Sequence, residues 1–125
     1  MDDMPEQDQD REDEEANIII PRIKMIVSYD VIPSSQDNYY QFVLGEMVPA
    51  MQEMGVYMTE AWHTAYGEYP IRMVTFVAEE PEIVYDMLES DRWNDLETRL
   101  LGFIRNYTRK VVAYRQGFQF IMSKN

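Results

Sequence analysis

From Arg22 to Val31 one of two alternating sets of residues is apolar throughout: Ile23, Met25, Val27, Tyr29 and Val31, against Arg22, Lys24, Ile26, Ser28 and Asp30. Side chains on a strand point to opposite faces in turn, so this period of two predicts a strand over 22–31 with one face committed to a core. Pro33-Ser34-Ser35 breaks the pattern and offers two hydroxyls as helix N-caps. The period then changes. Tyr40, Val43, Leu44, Met47, Met51 and Met54 recur at helical spacing and predict a helix over 36–54, with Pro49 kinking it or starting a second segment, and a stop at Gly55.

Residues 56–65 and 71–78 read as two further strands, joined by a hairpin-like connection at Tyr66-Gly67-Glu68-Tyr69-Pro70. A helix over 79–90 follows, with Pro81 in its first turn, and then a second helical stretch capped by Ser90 or Asp91 and reaching Arg105. A last strand is expected over 108–121, rich in Val, Tyr and Phe. The order β-α-β-β-α-β, with the second helix broken in two, predicts an α+β domain of the ferredoxin-like split βαβ kind. Its architecture is a four-stranded antiparallel sheet with helices on one face.

Strand three is apolar on both faces: Val74, Phe76 and Ala78 alternate with Ile71, Met73, Thr75 and Val77. Helices cover only one side, so a second copy of the chain is expected on the other, as a homodimer through the open sheet face.

Residues 1–17 carry nine acids and one base, eight of the chain's twelve net negative charges. They offer too little apolar surface to offset the entropy of ordering, so an acidic disordered tail is expected, with one domain over 18–125. The domain keeps fourteen acids and ten bases, interleaved. Nucleic acid is therefore not an expected partner; Arg105, Arg109 and Lys110 come nearest to a basic cluster and read as a solvated helix end. The chain has no cysteine, which excludes disulfides, thiolate metal sites and thiol nucleophiles. An acidic N-terminus without an apolar core is not a secretory signal, and no apolar run is long enough to span a membrane. The cytoplasm is the expected compartment.

The element order, the Trp93 helix after a short acidic break, and the closing run Lys110-Val111-Val112-Ala113-Tyr114 with Phe118-Gln119-Phe120 resemble the dimeric α+β barrel superfamily. Within it, the small NIPSNAP-like and antibiotic-biosynthesis-monooxygenase-like proteins are most similar. The resemblance covers about 21–121. It implies two sheets packed face to face as a homodimeric barrel, with a pocket between sheet and helices in each subunit. Members include cofactor-independent oxygenases, haem-using enzymes, isomerases and proteins without known activity, so the fold does not fix the chemistry.

Four residues are candidates for that chemistry: His63, Trp62, Tyr29 and Glu60. His63 is the one histidine, with no carboxylate set at ligand spacing, so neither a metal nor a cofactor is expected. If Tyr66 faces Tyr69 across the turn, His63 pairs with Arg72, Ala61 with Val74 and Thr59 with Phe76. Trp62 with Met73, Glu60 with Thr75 and Met58 with Val77 then occupy the other face. Glu60 among apolar neighbours could act as a general base, or could reach water from an outer strand. Tyr29 could offer a pocket hydroxyl, or be a core tyrosine with one hydrogen bond. His63 could equally be an ordinary strand histidine. Met47, Met51 and Met54 facing sheet aromatics suggest an adaptable cavity for a small apolar or aromatic ligand.

Two functions fit. One is a homodimerising domain of unassigned chemistry that binds such a molecule. The other is a cofactor-independent monooxygenase or isomerase acting on an aromatic or quinone-like substrate.

Overall fold

The computed structural model describes residues 19–64 and 71–115. The acidic tail, the 66–70 turn and the end of the last strand lie outside these residues. Strand β1 (Ile23–Val31) alternates buried and half-buried along its whole length, as its period of two requires. A 3-10 turn at Pro33–Ser35 leads into α1 (Gln36–Phe42), which continues through a π-helical turn (Val43–Met47) into α2 (Val48–Glu53). Then come β2 (Tyr57–His63), β3 (Ile71–Ala78), α3 (Pro81–Leu88), α4 (Asp91–Leu101) and β4 (Ile104–Ala113). The strands pair antiparallel in the order β2-β3-β1-β4. This is the ferredoxin-like arrangement, with the helices on one face of a four-stranded sheet.

The expected kink at Pro49 takes the form of the π turn. Proline cannot donate to the carbonyl one turn back and its ring crowds it; the wider turn, in which Val48 N–H reaches the Val43 carbonyl, relieves that position. The extra residue also rotates the buried stripe. Tyr39, Phe42, Val43, Met47, Ala50 and Met51 are buried, whereas Leu44, expected on the core face, is 58% exposed.

Gly55 terminates the helical run with φ +87°, a conformation that side-chain-bearing residues adopt at a cost. Neither Ser34 nor Ser35 caps α1 through its hydroxyl; the turn is closed instead by Ser35 N–H on the Ile32 carbonyl at 2.8 Å. Ser90 does cap α4, accepting from Trp93 N–H at 3.1 Å.

At the C-terminal end the sequence expectation needs correction. Helix α4 stops at Leu101 rather than Arg105, and β4 begins at Ile104 rather than 108. Gly102 breaks the helix, and Ile32 N–H takes the Phe103 carbonyl at 2.9 Å, which aligns the chain with β1. Arg105, Arg109 and Lys110 consequently lie on a strand, not on a helix end. Arg109 is drawn towards Glu97 of α4, 3.9 Å away.

The core lies between the sheet and the helices. Met25, Val27 and Tyr29 of β1, Val74 and Phe76 of β3, and Met51, Val84, Trp93 and Leu100 of the helices all belong to it. Burying each of the larger of these side chains contributes about 1.5–3 kcal/mol.

Candidate functional site

The hairpin register predicted from sequence holds for His63↔Arg72, Ala61↔Val74, Trp62↔Met73 and Glu60↔Thr75. It then shifts by one residue at Thr59, so that Met58 pairs with Phe76 and Tyr57 with Val77. The shift is a β-bulge: one extra residue on the edge strand turns the preceding side chains over. Met58 therefore leaves the face of Glu60, and Tyr57 takes its place.

Because faces alternate, the four candidate residues divide. Tyr29 and His63 project to the helix side, in line with Arg72, which pairs with both. Trp62 and Glu60 project from the open face. Glu60 is exposed on an outer strand, in reach of water.

The helix side holds the denser polar arrangement. Across it run His63 from β2, Arg72 from β3, Tyr29 from β1 and Tyr107 from β4, with the Tyr29 and Tyr107 rings 6.4 Å apart. A second bulge places Tyr107. Ser28 pairs with Thr108 and Asp30 with Arg105, leaving an extra residue on β4, and Asn106 takes φ +57° with its amide donating to Asp30 at 2.8 Å. Asparagine tolerates this left-handed region better than most residues. Tyr107 donates to Glu97 at 2.7 Å.

Helix α1 brings Tyr39 and Tyr40 onto this row. The Tyr29 and Tyr39 hydroxyls are 2.5 Å apart and their rings meet edge to face at 5.8 Å. The Arg72 guanidinium lies 5.0 Å from the Tyr40 ring centroid and 5.7 Å from that of Tyr39, and it donates to the Tyr40 hydroxyl. Cations are attracted to the negative face of aromatic rings, most strongly where water is partly excluded.

Burial pushes the pKa values of Tyr29, Tyr39 and Tyr107 upward. The Tyr39 charge raises Tyr29 further, and the Glu97 hydrogen bond raises Tyr107 further. All three therefore stay protonated at neutral pH: Tyr107 donates to Glu97, and one hydroxyl of the Tyr29–Tyr39 pair donates to the other.

Arg72, Tyr39 and Tyr40 were not among the residues singled out as a site. The predicted pairing of Arg72 with His63 was the signal for the first. The tyrosines follow from the α1 stripe once its rotation is known.

Met47 and Met51, expected to line a cavity, are buried in the core, and Met54 packs against it half-buried. Hollows formed by described residues lie between and beside the helices, one of them against Met54. One groove of about 380 Å³ runs between α2 and α4, flanked by the ion pairs Arg92–Glu53 and Arg99–Glu46 at 2.8 Å each. Another, of about 340 Å³, lies beside Met54, Ile83 and Ser90. Among the described residues no three His, Asp or Glu are grouped as a metal site, and no helix is long and apolar enough to cross a membrane.

No protein-family model matches the chain, and no curated protein matches it in sequence. Solved structures do match. A NIPSNAP domain protein from Burkholderia xenovorans superposes with a TM-score of 0.57, covering 75% of this chain and 95% of its own at 6% identity. The fold is NIPSNAP-like. A NIPSNAP family protein from Agrobacterium tumefaciens gives 0.54 at 16% identity, covering 76% of this chain and 94% of its own. A dimeric ferredoxin-like protein from an uncultured marine organism gives 0.56 at 11% identity, covering 79% and 92%. At these identities the NIPSNAP-like likeness concerns architecture alone, and chemistry has to be argued from the side chains.

Proposed function

We propose that the chain is a homodimerising domain, built as half of an α+β barrel, that binds a small apolar or aromatic molecule on the helix side of its sheet. One observation carries the dimer. The described helices pack on a single face of the sheet, and the opposite face presents Trp62 and Met73 side by side, 57% and 40% exposed, next to half-buried Ile26 and Tyr57. Exposed aromatic and methionine side chains grouped on a flat sheet are characteristic of an interface core. A two-fold axis would let the face cover its own copy. A structural neighbour described as dimeric and ferredoxin-like supports the same assembly.

Met73→Glu would place a charge in the middle of that interface and is expected to weaken the dimer by at least about 2 kcal/mol. Leu101→Glu, on an exposed position of α4, is the control. Sedimentation velocity should show the first variant dissociating at concentrations where the second remains dimeric. Equal behaviour of the two variants would refute the assignment of the face.

The second reading, a cofactor-independent monooxygenase or isomerase acting on an aromatic or quinone-like molecule, draws on the buried Tyr29–Tyr39 hydroxyl pair as a donor to a developing oxyanion. Only Tyr29 and His63 of the four candidate residues share the face it requires. Turnover that Tyr29→Phe lowers while binding persists would favour it.

A further inference from the structure

Among the described arginines, Arg22, Arg92, Arg99 and Arg109 each have a carboxylate within 4.0 Å, and Arg105 and Arg115 are exposed to water. Arg72 differs. It is half-buried on the helix face of β3, has no carboxylate partner among the described residues, and places its charge against the rings of Tyr39 and Tyr40. Its Nη2 donates to the Tyr40 hydroxyl, and its Nε is buried with no partner. A guanidinium presents five donors in a planar fork that matches a carboxylate, and a desolvated one gains most from an anionic acceptor. A single hydroxyl does not fill that fork.

The surroundings say what kind of anion fits. Half-buried Tyr40 offers ring surface beside the fork, while Tyr29 and Tyr39 are buried behind it with their hydroxyls paired, and burial holds those two protonated. His63, paired with Arg72 on the outer strand, is exposed, so the row opens to solvent at this edge of the sheet.

We propose that Arg72 is the anion-recognising group of a small-molecule site, and that the ligand class is an aromatic carboxylate. The carboxylate completes the guanidinium while its ring packs on Tyr40. This inference rests on the reading of the domain as a binder of small aromatic molecules and narrows it to acids.

The test compares 4-phenylbenzoate with its neutral isostere 4-phenylbenzamide by isothermal titration on the full chain. The wild-type protein should favour the acid by about tenfold or more, the worth of a hydrogen-bonded charge pair. Arg72→Gln should bind both compounds alike, and Arg72→Lys, which keeps the charge but not the fork, should retain only part of the preference. Equal binding of acid and amide by the wild-type protein would overturn the carboxylate assignment while leaving the aromatic-binder reading in place. Binding of neither would overturn both. If Arg72→Gln does not fold, Tyr40→Phe removes one partner of the guanidinium and should shift the acid's affinity more than the amide's; equal shifts would count against the proposal.

Discussion

Tyr29 and Tyr39 share a hydroxyl contact inside the core, and burial holds both protonated beyond their ordinary value of 10.0. Below that pH the folded and unfolded chains carry the same protons on these groups. Above it, tyrosines of the unfolded chain ionise while the folded ones do not, so the unfolded state binds fewer protons and stability falls as pH rises. Thermal melts between about pH 9 and pH 11 should therefore show a steep loss. Tyr29→Phe should flatten that loss, at a cost at neutral pH of about 1 kcal/mol for the hydroxyl left on Tyr39. An unchanged slope in the variant would contradict the assignment. Tyr29 was legible as a residue of the buried β1 face, because strict alternation leaves one choice of side. Tyr39 was not: Tyr40 and Leu44 continue a helical stripe as well as Tyr39 and Val43 do. The bulkier Phe42 and the π turn decide between the two stripes only in three dimensions. His63 and Arg72 could be paired from the hairpin alone, but the significance of Arg72 depends on what α1 brings over it. The same register already separated Trp62 and Glu60 from His63, so no single site could hold all four candidate residues without crossing the sheet.

The elements end where local chemistry stops them, and two such stops can be tested. Gly55 follows α2 at φ +87°, and a Cβ there would meet the Ile83 side chain at 3.0 Å. Gly55→Ala should destabilise by about 1 kcal/mol or more from the backbone conformation alone. Ser90 accepts from Trp93 N–H and donates to the Met87 carbonyl at 2.7 Å, joining the end of α3 to the start of α4. Ser90→Ala should cost about 1 kcal/mol, or about 4–8 °C in Tm for a domain of this size. Differential scanning calorimetry on both variants checks the pair, and a melt unchanged in either would show that its stop is dispensable. β1 and β3 were legible almost to the residue, because alternation is sharp along β1, β3 is an unbroken run of β-formers, and a Pro lies near the ends of both. The α4–β4 junction was not, since Leu100, Leu101 and Ile104 keep helical spacing beyond the break at Gly102. The pairing that claims Ile104 for β4 comes from β1, far away in sequence. Both bulges were likewise invisible, because an extra residue in one strand leaves no mark until its partner is known.

At the scale of the molecule, a sheet with helices on one side leaves an unanswered face, and the sequence signalled this through a third strand apolar on both sides. The structure bears out the architecture behind that expectation: Val74, Phe76 and Ala78 are buried towards the helices, and Thr75 and Val77 on the other face are also buried. Part of the open face is thus already buried within one chain, and the exposed apolar remainder concentrates at Trp62 and Met73. A two-fold partner that buries this remainder is the central claim of the account. Multi-angle light scattering on the 125-residue chain at micromolar concentration measures it directly. The account predicts a particle of twice the 14.9 kDa chain mass, whereas a mass of 14.9 kDa across the micromolar range would contradict it.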